Sequence, residues 1–210
     1  MLLYHRPTSG HSYKARLLLS FLGIEYDEHI VYANAGKNVV EPAYYELNPR
    51  GQIPTLDDAG HVVWGSTAIL VYLAARYDDA RTWLPAAPEA MASVIQWMEL
   101  AQNEVNGLFL SRAIQLFGYP GDLVAARLAG NKALDILEKR LTGRDWLAAE
   151  GPTIGDIACF PYAAVAADNG FDLRARPAVC AWIERMARMK GFVAMPGLEQ
   201  LNPLTADTQT

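Results

Sequence analysis

Only two cysteines, Cys159 and Cys180, occur in the 210 residues, and they lack metal-ligand spacing. So few thiols exclude a disulfide-stapled secreted scaffold and a cysteine-built metal centre. Long apolar runs are absent as well. Nothing approaches the ~18 residues that span a bilayer, and the opening Met1-Leu2-Leu3-Tyr4-His5-Arg6 is interrupted too early for a secretory signal. Clusters of basic residues are missing too, and the formal net charge is -5. A nucleic-acid partner needs a concentrated positive surface, so that class is excluded. These absences predict a cytoplasmic chain with neither nucleic acid nor membrane as a partner. A small acidic ligand stays open, because a local positive pocket can exist within a mildly acidic whole. With 51% hydrophobic residues the chain has ample material for a core.

Two regimes of pattern divide the chain. Leu2-Leu3-Tyr4 is a short apolar run ended by Pro7, as a first strand would be. Tyr13, Leu17 and Phe21, with Leu18 and Leu22 beside them, then recur at helical spacing until Gly23. Glu25 to Val31 reads as a second strand and Pro42 to Leu47 as a short helix. Ile53 to Leu56 and His61 to Trp64 flank an Asp/Gly turn, which predicts a hairpin. A helix opens at Ser66 and runs to Tyr77. The order β-α-β-α-β-β-α defines a compact α/β unit. Beyond Asp78-Asp79 strand signals vanish, and Pro85-Ala86-Ala87-Pro88 reads as a turn-rich connection. Helices are predicted over Glu89 to Phe117, Pro120 to Leu141, Thr153 to Ala167 and Pro177 to Met189. The expected division is an α/β domain over 1–79, a linker over 80–88, an all-helical domain over 89–200 and a polar tail over 201–210.

Three segments of the first unit carry chemistry. In Pro7-Thr8-Ser9-Gly10-His11-Ser12, Ser9 or Thr8 is placed to cap the first helix. The same helix start offers free N–H groups and partial positive charge to a thiolate or another anion. His11, in the first turn, reads as a solvated surface group. In Asn48-Pro49-Arg50-Gly51-Gln52-Ile53-Pro54 a proline stands where a strand begins, which a cis peptide would accommodate. In Trp64-Gly65-Ser66-Thr67-Ala68-Ile69 a strand passes through one glycine into a helix, with Ser66 as a second candidate cap and anion site.

These segments, in this order, resemble the glutathione transferase superfamily. Asn48-Pro49-x-Gly51-x-Ile53-Pro54-x-Leu56 is similar to its proline loop, in which the proline is cis. Ser66-x-Ala68-Ile69-x-x-Tyr72-Leu73 is similar to its glutamyl-binding motif, and Thr153-Ile154-Gly155-Asp156 to the capping box of its second domain. The resemblance extends to Gly197. It implies a two-domain fold, a thioredoxin-like α/β domain followed by an all-α helical bundle, and glutathione as co-substrate. It further implies a small-molecule electrophile as second substrate, a detoxification chemistry, and a homodimer.

Carried over residue by residue, the resemblance makes Ser9 the serine that donates to the glutathione sulfur, with Ser12 and Tyr4, then Thr8, as alternatives. It assigns the segment Gln52-Ile53-Pro54 to the cysteinyl portion and Ser66, beside Gly65, to the γ-glutamyl carboxylate. Lys37, or else Arg50, is implied for the glycine carboxylate. Asn106 matches a polar position on the electrophile side. There are two departures. Gly65 stands where relatives have an acidic or amide residue for the glutathione amino group, and Glu104 matches a residue that reaches across a dimer to that end. Gly10 stands where cysteine-using classes have their thiol, so the sulfur must come from glutathione. Cys159 and Cys180 read as inert core residues, and the aromatic residues Trp97, Phe109, Phe117 and Tyr119 as core or as pocket wall. Transfer to an electrophile is the leading expectation. Glutathione-dependent reduction of disulfides or peroxides and a non-catalytic binding module are the alternatives.

Overall fold

The computed structural model describes residues 1–32 and 42–199. Four short strands, β1 (Leu2–His5), β2 (Asp27–Ile30), β3 (Thr55–Asp58) and β4 (His61–Trp64), form one sheet in the order β2-β1-β3-β4. β1 and β2 run parallel, and the other neighbouring pairs are antiparallel. Helices α1 (Gly10–Leu22), α2 (Tyr44–Leu47) and α3 (Ser66–Tyr77) complete this unit. The order is the one that periodicity predicts, although β2 is shorter than Glu25 to Val31. It is an edge strand with three exposed residues, although Val31 just beyond it is buried and still donates to the His5 carbonyl.

The remaining described elements are helical: α4 (Pro88–Gln102), α5 (Asn106–Phe117), α6 (Leu123–Leu141), α7 (Ile154–Ala164) and α8 (Pro177–Ala187), with a 3₁₀ turn over Ala167–Asn169. The continuous helix predicted over Glu89 to Phe117 is broken at Asn103-Glu104-Val105. After the break α5 crosses α6 closely. At Gly107 a Cβ would stand 2.6 Å from the Gly130 backbone nitrogen. The other helices start or stop within a few residues of expectation. Asp122 caps α6 by accepting from the Val124 and Ala125 N–H groups at 2.8 and 3.0 Å, and α4 takes in Pro88, the last residue of the expected linker.

The expected capping box is present. Thr153 accepts from Gly155 N–H, and the Asp156 carboxylate accepts from the Thr153 N–H and hydroxyl, the Leu147 N–H and the Trp182 indole. Asp156 is fully buried, so these donors replace its water. They hold α7 at the centre of the molecule, packed against α1, α3, α4 and α8. One hydrophobic core runs through both halves, from Leu3, Leu17 and Ile69 to Met98, Ile157 and Trp182.

Between α1 and α7 lies a polar exception. Lys14 is fully buried, its Nζ has no hydrogen-bond partner, and it sits 5.7 Å from the centre of the Tyr162 ring. Burial lowers its pKa from 10.5 to about 8. Below about pH 8 both folded and unfolded chains carry the proton, and the desolvation penalty is fully felt. Between about pH 8 and 10.5 the unfolded chain still holds a proton that the folded chain has lost, so this lysine makes stability rise with pH. Lys14→Met should therefore raise stability at pH 7, by up to about 3 kcal/mol, and remove that rise. Urea unfolding of both proteins at pH 7 and pH 10 checks it. Parallel pH dependences would show that the amine finds water or a partner.

Candidate functional site

The turn from β1 into α1 lies at the centre of the site. Ser9 adopts an extended conformation as the N-cap, and its Oγ accepts from Ser12 N–H at 3.2 Å. Capping occupies a lone pair and leaves the hydroxyl proton free to donate. Of the two candidate caps it is therefore Ser9, not Thr8, that serves. Gly10 follows because nothing larger fits. A Cβ there would meet the Tyr162 ring of α7 at 2.6 Å. The place where cysteine-using classes carry their thiol is thus filled by an aromatic ring from the helical half.

Next to it, the proline loop is held from below. Asn48 is buried, and its amide donates to the Gln52 carbonyl at 2.6 Å and to Thr55 Oγ1 at 3.1 Å. Tyr44 donates to the same carbonyl at 2.8 Å. The Ile53-Pro54 peptide is cis, and the Pro54 carbonyl accepts from Gly65 N–H at 3.1 Å. The ladder with β1 begins at Thr55, so Ile53 lies outside it, on the cavity wall.

Where β4 turns into α3 the expectation needs correction. Gly65, not Ser66, is the N-cap, at φ 89° and ψ 126°. Glycine alone adopts that conformation without strain. Ser66 becomes the first helical residue. Its hydroxyl is released from capping and stands 3.5 Å from His11 Nδ1. The amides of Ser66, Thr67 and Ala68 have no acceptor in the preceding turn, and all three residues line the cavity.

These segments meet α4, α5 and α7 around a cavity of about 920 Å³. The helical half contributes Gln102, Asn106, Phe109, Arg112, Phe117, Tyr119 and Tyr162. Gln102 donates to Thr67 Oγ1 and so ties the two halves at the start of α3. His11 is a cleft residue, not a solvated one. It packs edge-on to Phe109 and Tyr162, with centroids 5.1 and 5.2 Å away. Burial, reinforced by Lys14 and Arg50, lowers its pKa to about 3 and keeps the imidazole neutral. A first-turn histidine shows no sequence sign of this, because its cover arrives from α5 and α7.

Among the serine alternatives, Ser12 is fully buried and Tyr4 packs on His29 and Tyr44, and neither lines the cavity. Gln52, Ile53, Pro54, Gly65, Ser66 and Asn106 all do, as does Arg50. Lys37 lies outside the described residues. Glu104 does not reach this cavity. It occupies the break between α4 and α5, not a helix, and pairs with Lys132 at 3.7 Å. Of the four aromatic candidates Phe109, Phe117 and Tyr119 line the cavity, while Trp97 does not. Cys159 is buried, its thiol pushed up to about 12 by desolvation, and Cys180 donates to the Leu173 carbonyl.

A four-stranded α/β domain and a helical domain, with a cleft between them that has a cis-proline loop and two helix starts on one wall, define the class of the fold. Residues 8–76 match the family described as glutathione S-transferase, N-terminal domain, and residues 122–189 match glutathione S-transferase, C-terminal domain. The chain is 32% identical to glutathione S-transferase D7 of Anopheles gambiae, over 98% of this chain and 93% of that one. It superposes on the crystal structure of a glutathione S-transferase from Pseudomonas fluorescens with a TM-score of 0.84 and 34% identity, covering 92% of this chain and 98% of that one. For a delta-class glutathione transferase of Nilaparvata lugens the TM-score is 0.80 at 25% identity, covering 96% and 92%. The chain belongs to the glutathione S-transferase family.

The capping assignment yields a paired prediction. Gly65→Ala should cost about 1–3 kcal/mol, although nothing lies within 4 Å of the added Cβ. Ser66→Ala should cost less than Gly65→Ala, since no cap is lost. Denaturant midpoints of the two variants measure the difference, and a larger loss at Ser66 would restore it as the cap.

Proposed function

We propose that this glutathione transferase binds glutathione along the α/β wall of the cleft, activates its thiol with Ser9, and transfers the sulfur to a small electrophile held against α5. The observation that carries this reading is the convergence in one cavity of the Ser9 hydroxyl at the start of α1, the Ile53-Pro54 loop, and Ser66 with the first-turn amides of α3.

Each part of the peptide has a matching group. Gln52, Ile53 and Pro54 receive its cysteinyl portion, with Ile53 offering backbone outside the ladder. Ser66 and the amides after Gly65 hold the γ-glutamyl carboxylate, where free N–H groups and the helix dipole both favour an anion. For the glycine carboxylate the reading keeps Lys37, with Arg50 as the cation seen on the cavity wall. Between these anchors the thiol falls to Ser9. A thiol ordinarily near pKa ~8.5 needs a drop of about 2 units to be mostly thiolate at neutral pH, or about 2.7 kcal/mol. One hydroxyl donor and a helix N-terminus together supply energies of that order. Asn106 is the polar group offered to the electrophile.

Ser9 and Ser66 should fail differently. Ser9→Ala should raise the pKa of bound glutathione and lower the rate about 10- to 1000-fold, with affinity held within a few-fold. Ser66→Ala should weaken glutathione about ten-fold or more and leave that pKa in place. A pH–rate profile and calorimetry on both variants separate the roles. An unchanged profile in Ser9→Ala would remove the serine from the chemistry.

The reading also includes a homodimer with shared sites, in a cytoplasmic setting where a free thiol persists. It is supported by Glu104 standing away from its own cleft, and by Met91 and Ile95, two apolar side chains one turn apart on α4 that are more than a third exposed. In that dimer Glu104 of one chain meets the ammonium group of the peptide bound to the other, in place of the carboxylate that Gly65 lacks. Glu104→Gln should then weaken glutathione while sparing an analogue without the amino group. Equal effects on both ligands would confine Glu104 to its pairing with Lys132.

A further inference from the structure

The electrophile side of the cavity is walled by Phe109, Phe117, Tyr119, Tyr162 and a neutral His11. Into this apolar chamber comes one strong cation, Arg112 of α5. Its residue is only 8% exposed, one η nitrogen donates to the Thr8 carbonyl at 3.2 Å, and the guanidinium lies over the Phe117 ring at 5.0 Å. No carboxylate among the described residues pairs with it. Tyr162 and Asp168 act on it only from beyond ion-pair distance. A guanidinium has several N–H donors in a planar fork, and the Thr8 contact uses one. The nitrogens it leaves over are not sealed from the cavity, so the fork is open to an anion that enters there. The contact with Thr8 also locates it, next to the residue that precedes Ser9.

We propose that Arg112 selects aromatic electrophiles that carry a carboxylate on the ring, held bidentately by the guanidinium while the reacting carbon faces the glutathione sulfur. This rests on the glutathione reading above and names the substrate class of the same site. For a benzyl halide of this kind the thiolate sulfur forms a bond to the benzylic carbon bearing the halogen. The carbon–halogen bond breaks, the halide leaves with the electron pair, and the thiol proton passes to solvent, with no oxidant or reductant required. The ring stacks among the aromatic walls, and its anion supplies the counter-charge that the protein leaves out.

Two product-like ligands test this directly: S-benzylglutathione and S-(4-carboxybenzyl)glutathione, titrated by calorimetry alongside glutathione itself. The protein should bind the carboxylated conjugate about ten-fold or more tighter than the neutral one, the size of a charge-assisted hydrogen bond lost or gained. Arg112→Gln should abolish most of that preference, and Arg112→Lys, which keeps the charge without the fork, should retain part of it. Three results overturn the proposal. The first is no preference in the unmodified protein, which needs no variant to fold. The second is a preference that survives in Arg112→Gln, which would give the anion to Arg6 or Arg50. The third is equal weakening of both conjugates, which would make Arg112 a clamp on the Thr8 loop. Failure of glutathione itself to bind would instead remove the underlying reading, and this inference with it.

Discussion

The ring of Tyr162 occupies the space in which a side chain at position 10 would stand, and the cleft is organised around that contact. It brings α7 against the first turn of α1, so that the helical half closes directly over the loop carrying Ser9. The buried Asp156 carboxylate, with its four donors, fixes α7 at its start and thereby fixes where that ring points. The same closure buries Lys14 and covers His11. Residue 10 can be little other than glycine, and a chemistry based on a protein thiol at this turn has no room.

The cleft is electropositive inside a chain whose formal net charge is -5. Arg6, Arg50 and Arg112 line it, together with the starts of α1 and α3. Helix starts and arginines both favour an anion in the cleft, and Arg112, the one buried arginine of the three, is screened least by water. His11 adds no charge, since burial beside two cations keeps it neutral. Its imidazole serves instead as a polar ring between Ser66 and the aromatic wall.

Much of the first domain was legible from local pattern. Helical periodicity ending at Gly23, the Asp/Gly hairpin and the proline loop each depend on residues close in sequence, and each appears where expected. The division of labour at the start of α3 was not. Ser66 has the chemistry of a cap, yet the positive φ at residue 65 moves the cap back by one and frees the hydroxyl. Backbone conformation of that kind depends on how β4 must leave the sheet, and residue type alone does not report it.

Sequence by itself determined the family, the order of elements in the α/β half, and the short segments that line the cavity, because turns, caps and strand starts are specified within a few residues. Tertiary structure decided the rest. The close crossing of α5 over α6 brings Gly107 to Gly130 across two helices, and the surroundings of His11 and Arg112 follow from α5 and α7 closing over α1. Burial is a property of what lies opposite, about 50 to 150 residues away along the chain here. A histidine or an arginine therefore acquires its surroundings, and the histidine its neutral state, only when those distant partners arrive.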